Sequence, residues 1–228
     1  MALLYPGVSP ATSGKLGPNV FSRNRGGAYV RARVKGVNPN TALQQAVRTA
    51  FGQLSTQWFG VLSDADRASW SDWANATPRR NRLGSVIFLA GNTAYVGANT
   101  LRRQLGLADV NTQVGPNLLS TLSQPGTLTI SSSTHKAIFS GLNAADEWQG
   151  PGGAVGLFIS KPQNGTVNFF KGPYQYAGRI AGGTATLAAA TVTLTGSLIS
   201  GQLCYYRLAA SSPDGRPSQV IQDGVITL

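Results

Sequence analysis

From residue 41 onward apolar side chains recur with helical spacing: Leu43, Val47, Ala50, Phe51, Leu54, Trp58 and Val61 fall on one stripe of a 3.6-residue period. The stripe predicts a helix over about 41–60 with one buried face. Thr41 and Gln44 stand at capping-box spacing just after Asn38-Pro39-Asn40, and Ser63 with Asp66 repeats the device, so a second helix is expected over 64–76, stopped by Pro78. Asp64 and Asp66 then lie at that helix's positive end. A third run, residues 85–106, offers Val86, Leu89, Ala90, Thr93, Ala94, Val96, Gly97 and Leu101 toward neighbours. Arg102 and Arg103 complement its carboxyl end and Gly106 caps it. Trp58, Trp70 and Trp73 fall on the apolar faces of the first two helices and read as core rather than as platforms for stacked bases. Three helices this short predict a small bundle.

The period then changes. Residues 111–125, with Gly115-Pro116 and Pro125-Gly126, read as a linker. Seven short β-rich runs follow: "TLTISSS", "HKAIFSGL", "GAVGLFISK", "TVNFFKG", "TATLAAATVTLTG", "QLCYYRLAAS" and "SQVIQDGVITL". Their length and their Gly, Pro and Asn punctuation predict an antiparallel β-sandwich over 126–228. Residues 1–110 are expected to form a basic hairpin plus helical docking domain.

Ahead of the helices, "VFSRNRGGAYVRARVKG" alternates. Tyr29, Arg31, Arg33 and Lys35 share one parity, and Ala28, Val30, Ala32 and Val34 the other, which gives a strand with a cationic and an apolar face. A two-residue Gly26-Gly27 turn would set Arg23 and Arg25 beside Val30 and Ala28 and mix the faces. A three-residue loop, Arg25-Gly26-Gly27, puts Arg23 with Tyr29, Arg31 and Arg33, and this register is the expected one because it keeps one cationic surface.

Charge sharpens the picture. The chain has a formal net charge of +11 and no acidic residue in its first sixty-three positions. Residues 1–110 hold 13 Lys+Arg against 4 Asp, and the remainder 6 against 4. The asymmetry points to an acidic or polyanionic partner for the N-terminal half. Candidate contact residues are Arg23, Arg25, Tyr29, Arg31, Arg33 and Lys35, with a second cluster at Arg79, Arg80 and Arg82. An acidic protein neighbour is the first expectation and DNA the second.

Chemistry is thinly supplied: one His, one Cys, one Glu and seven Asp. His135 opens a predicted strand without an acid nearby, and no Gly-x-Ser-x-Gly elbow accompanies it. Asp146 and Glu147, being adjacent, read as a solvated turn rather than a paired-carboxylate site. Asp64, Asp66 and Asp72 suit capping and a helix surface better than metal ligation. The pairs Gly26-Gly27, Gly152-Gly153 and Gly182-Gly183 lack the context of a phosphate loop and read as turns. Cys204 is the only cysteine, so no disulfide forms within the chain. No catalytic residue, metal or cofactor is expected, and the chain has neither a signal-peptide pattern at its start nor a run of 18 apolar residues.

Two resemblances add to this. "GQLCYYRLAASSPDGRPSQVI" resembles the last two strands of a fibronectin type III or related immunoglobulin-like domain, a Tyr-containing strand, a Pro213-Asp214-Gly215 turn and a final strand. "GPNVFSRNRGGAYVRARV", "NPNTALQQAVRTAF" and "LSDADRASWSDWA" are similar to uncharacterised phage and prophage proteins that pair a basic, helical N-terminal region with such a tail. The last of these segments is also similar, over about a dozen residues, to the tryptophan-bearing helix junction of HMG boxes.

The resemblances imply an α+β chain: a basic N-terminal β-hairpin with a small three-helix bundle, then an all-β immunoglobulin-like sandwich. They imply a non-enzymatic virion structural protein (capsid decoration, neck or tail), made and assembled in the host cytoplasm. Its partners would be other virion proteins and copies of itself, with no membrane. The alternatives are a DNA-binding architectural or packaging protein and, more remotely, a glycan-binding module stacking sugars on Trp148, Tyr174 and Tyr176.

Overall fold

The computed structural model describes residues 2–3, 14–24, 27–34, 40–80, 86–125, 127–183, 190–194 and 198–227. The chain is α+β, with three helices and several antiparallel sheets. It divides into two compact units, Met1–Gln44 and Gln45–Leu228.

In the first unit, β1 (Ala2–Leu3), β2 (Gly14–Leu16), β3 (Asn19–Asn24) and β4 (Gly27–Ala32) form one antiparallel sheet in the order β1-β4-β3-β2. The expected hairpin is therefore the centre of a four-stranded sheet. Thr41 and Gln44 cap the next helix reciprocally: the Thr41 N–H donates to Gln44 Oε1 at 3.3 Å and the Gln44 N–H to Thr41 Oγ1 at 3.4 Å.

The second unit holds most of α1 (Ala42–Gly60), then α2 (Asp64–Ala76), the short pair β5 (Arg79–Arg80) and β6 (Val86–Ile87), and α3 (Gly91–Gln104). Ser63 and Asp66 form the capping box that the spacing predicts, and Gly106 ends α3 with φ +62°. α2 and α3 approach closely because Gly91 lacks a side chain: a Cβ there would fall 2.9 Å from Ser71 Cα. Trp58, Trp70, Trp73 and Tyr95 form the aromatic core of this region, with Trp70 edge-on to Trp73 at 5.8 Å and to Tyr95 at 5.7 Å.

The single buried stripe expected on α1 is not what forms. Leu54 and Trp58 are buried, whereas Val47, Phe51 and Val61 are exposed along with Phe59. Only the second half of α1 meets the α2 and α3 core, where Gln57 Oε1 accepts from Tyr95 Oη at 3.2 Å.

Tyr95 is wholly covered, and burial, helped by the negative charge of Asp109, pushes its phenol from 10.0 up to about 12. A folded-state pKa raised above the unfolded one gives stability that is complete below the unfolded value and is lost as pH rises through the folded one. Unfolding free energy is expected to fall between pH 10.0 and about 12, and Tyr95→Phe should flatten that decline in denaturant titrations across the range.

The β-rich region contains β7 (Thr127–Ser131), β8 (Lys136–Ser140), a 3-10 turn at Glu147–Gln149, β9 (Ala154–Ile159), β10 (Gln175–Ala181), β11 (Ala190–Thr193), β12 (Leu203–Ser211) and β13 (Ile221–Ile226). One sheet runs β11-β8-β7 and the other β10-β9-β12-β13. They enclose one core of Ile130, Phe139, Leu157, Cys204, Leu208 and neighbours, in which Trp148 is fully buried. Six of the seven predicted runs contribute a strand. The exception is "TVNFFKG", which is irregular, while the missing strand is β10, where the register shifts between Tyr176 and Gly178. That bulge breaks the period-2 signal.

Residues 111–125 are not a linker. The Trp70 indole donates to Asn111 O at 2.8 Å and the Trp73 indole to Pro116 O at 3.0 Å, binding this segment to α2. Thr121 and Ser123 take it onward to Glu147 and Asp146. Arg102 on α3 also donates to Ser212 O at 2.8 Å, at the end of β12. These bonds place helices and β-strands in one unit, so the division falls at 44/45 instead of across 110–126.

Candidate functional site

The basic strands take a third register. Asn24 pairs with Gly27, Arg23 with Ala28, Phe21 with Val30 and Val20 with Arg31. Two residues, 25 and 26, connect the strands, one fewer than expected, and a one-residue slip exchanges faces. Arg23 therefore shares its register row with Ala28 and its parity with Phe21 and Val30, apart from Tyr29 and Arg31. The expected single cationic face that includes Arg23 is overturned.

The neighbouring strand supplies a different cation. Lys15 pairs with Val20, which pairs with Arg31, so Lys15, Val20 and Arg31 form one cross-strand row. The Arg33 N–H donates to Pro18 O at 2.7 Å and continues the alternation one step further. Lys15, Arg31 and Arg33 are all exposed, and Tyr29 on the same parity is half-buried. Lys15 could have been found only with the β2–β3 register, which the sequence does not print locally. Arg25 and Lys35 lie outside the described residues, as does Arg82.

Arg79 belongs to the other unit and has a different setting. Its guanidinium lies over the Trp73 ring at 5.7 Å, and burial lowers its pKa. It pairs through its backbone with Ile87, as Arg80 does with Val86. Arg79 is therefore partly a packing residue of the helical core rather than a free surface charge.

Most of the acids serve structure. Asp66 caps α2, its carboxyl held below the ordinary value first by the Ser63 hydroxyl and then by Thr112. Asp109 pairs with Arg103 at 2.7 Å and Asp64 with Arg67. Asp146 and Glu147 are not a solvated turn: Asp146 is 4% exposed and accepts from the Ser123 N–H at 2.9 Å, Ser123 Oγ at 2.7 Å and the Trp148 indole at 3.2 Å. Glu147 and Asp214 pair with the buried Arg216 at 2.9 and 2.7 Å. Trp148, two residues beyond Asp146, was the available sign, since a buried indole N–H needs an acceptor.

His135 is exposed in the β7–β8 turn with φ +50° rather than opening a strand, and burial raises the pKa of the Cys204 thiol. Among the described residues no group of three or more His, Cys, Asp or Glu is placed to hold a metal ion, and no described helix is long and apolar enough to cross a membrane. No protein-family model matches the chain, and comparison with curated proteins finds no match.

Proposed function

We propose that the chain is a non-enzymatic structural protein of a bacteriophage virion, a capsid decoration or a neck or tail component, assembled in the host cytoplasm. It docks through its basic N-terminal sheet and presents a fibronectin type III-like β-sandwich carried on a small helical bundle. The observation that carries the reading is the exposed row of Lys15 and Arg31 with Arg33 beyond it, in a segment with no acidic residue. Such a row matches an acidic protein surface and gains strength when symmetry repeats it.

Two further features support it. The strand orders β11-β8-β7 and β10-β9-β12-β13 agree with the E-B-A and C′-C-F-G sheets of a fibronectin type III-like domain. Most of the acids that proton transfer would draw on are engaged in caps and ion pairs. The docking surface is then Lys15, Arg31 and Arg33 with Tyr29, and other virion proteins and further copies of the chain are its partners.

The same acid-free row favours DNA as the second reading. Titration of random duplex DNA against salt separates the two, because each neutralised phosphate contributes about −0.9 to the slope of log K on log salt. The virion reading expects weak DNA binding, and recovery of the protein from purified particles at a fixed copy number. Arg31→Ala with Arg33→Ala should then reduce particle occupancy. Tight DNA binding with a slope of several units, and no protein in particles, would overturn it in favour of the architectural reading. A glycan module stacking on Trp148 is disfavoured because that ring is buried in the core.

A further inference from the structure

A cleft of about 670 Å³ opens in the second unit between α3 and the outer face of the β9–β12 sheet. Along β12 the residues Cys204, Tyr206, Leu208 and Ala210 belong to the core, so Arg207 has the opposite parity and turns toward α3. Phe158 is its cross-strand partner on β9, and the guanidinium rests over the Phe158 ring at 5.9 Å. The facing side of α3 presents Thr93, Gly97, Thr100 and Leu101, a band of mostly small residues that leaves the space open. Arg79, Lys171 and Tyr174 complete the rim.

Two properties make this more than a packing gap. Among the described residues the lining contains three cations and no carboxylate, and most of the segments that supply it are poor in acid, since no Asp or Glu lies between Asp72 and Asp109 or between Glu147 and Asp214. Second, Arg207 Nε and Thr100 Oγ1 are both buried without a hydrogen-bond partner. Buried donors are ordinarily satisfied, so two unsatisfied ones on residues that line one cationic cleft favour an acceptor as its occupant, which a small turn of either side chain would meet.

We infer that the cleft binds a small organic anion whose carboxylate is held by Arg207 and Thr100 and whose apolar body lies against Phe158, Leu101 and Tyr174. A planar two-oxygen acceptor suits the fork of a guanidinium that the Phe158 ring already orients. Phosphate suits the site less well, because α3 offers its flank and not its N-terminal N–H groups, the usual phosphate cradle. The volume lies within the range of small-ligand sites. This ligand-binding role is independent of the docking row on the N-terminal sheet.

The test uses the full chain with benzoate and its neutral isostere benzamide, followed by saturation-transfer NMR. Benzoate is expected to bind about tenfold more tightly than benzamide, the difference between a charge-assisted and a neutral hydrogen-bonded pair. Arg207→Gln should abolish that preference, and Thr100→Val, which removes only a hydroxyl, should weaken benzoate about threefold. Thr100→Val keeps the test decisive where Arg207→Gln fails to fold. Equal affinity for the two probes, no benzoate binding at all, or benzoate binding unchanged in either folded variant would overturn the inference. Displacement of benzoate by an equal concentration of inorganic phosphate would overturn the carboxylate assignment.

Discussion

Substitution of Arg102 by methionine is expected to destabilise the Gln45–Leu228 unit by about 3–5 kcal/mol, because several buried acceptors lose their donor at once. Arg102 is 4% exposed. Its Nε donates to Ala108 O at 2.6 Å, its Nη1 to Ser211 Oγ at 3.1 Å and to Ser212 O at 2.8 Å, and its Nη2 to Gly152 O at 3.4 Å. Burial lowers its pKa, and Asp109 and Asp214 oppose that shift from a distance. Carbonyl oxygens are thus its main solvation. Methionine fills much of the volume but leaves the carbonyls of Ala108, Ser212 and Gly152 without this donor, at about 1–3 kcal/mol for each group that stays unsatisfied.

The same substitution has a second signature. Arg102 ties α3 to the end of β12 and to the chain just beyond α3, so its loss loosens the helical region from the β-rich one. Urea unfolding followed by tryptophan fluorescence reports mainly Trp58, Trp70 and Trp73 in the helical core, whereas far-UV circular dichroism also reports the sheets. The two probes are expected to coincide in the parent protein and to separate in Arg102→Met. Lysine should rescue only in part, because a point charge cannot reproduce a planar fork serving three directions. An Arg102→Met chain with the parent midpoint and coincident probes would refute the role assigned to this residue.

What could be read from the sequence was what is decided locally. The capping boxes at Thr41 and Ser63, the stop before Pro78 and the Gly106 cap all rest on residues within one turn of each other, and the limits of the first two helices and the end of α3 follow from them. By contrast, α3 starts at Gly91 instead of 85 because Val86–Ile87 pair as a strand and no side chain caps the helix. The position of Arg102 at the carboxyl end of α3 was legible too, but not its burial. Its partners Ser211 and Ser212 lie more than a hundred residues away. The segment 111–125 has the composition of a linker, and distant partners make it a strap: the indoles of Trp70 and Trp73 about forty residues earlier, and Asp146 and Glu147 beyond it. β10 was hidden by the bulge between Tyr176 and Gly178, beside a glycine whose added Cβ would meet Val192. The two central strands of the basic sheet were read correctly but in the wrong register, and β1 and β2 were not read at all, because a register depends on one loop length and alternation alone is compatible with either parity. The cleft was illegible for a related reason: Arg207, Thr100 and Lys171 come from separate elements and share no motif.

Substitution of Arg216 by alanine is expected to cost a similar 3–5 kcal/mol at neutral pH, with a pH dependence that identifies the cause. Arg216 is 3% exposed and joins three distant segments. Its Nε donates to Asp214 at 2.7 Å, its Nη2 to Glu147 at 2.9 Å and its Nη1 to Leu118 O at 3.5 Å. Gly115 makes room for this pair, since a Cβ there would lie 2.6 Å from Arg216 Nε. Burial works to raise the Asp214 carboxyl, but the hydrogen bonds from Ser212 and Arg216 and the charge of Arg216 hold it below 3.8. In the parent protein Asp214 therefore contributes stability that is present above 3.8 and lost as pH falls through its lower folded value. Without the Arg216 side chain its hydrogen bond and its charge are lost while the Ser212 hydroxyl and the backbone N–H at position 216 stay, so the folded pKa of Asp214 rises and its ionised form contributes less stability in the variant. The gap between parent and variant is expected to be widest at neutral pH and to narrow as pH falls toward 3.8 and below. Asp214→Asn should therefore cost less in the Arg216→Ala background than in the parent protein at neutral pH, and the two costs should converge in acid. A gap that stays constant across this range would mean that Arg216 acts by packing alone and would remove the ion pair from the account of how the 111–125 strap is held.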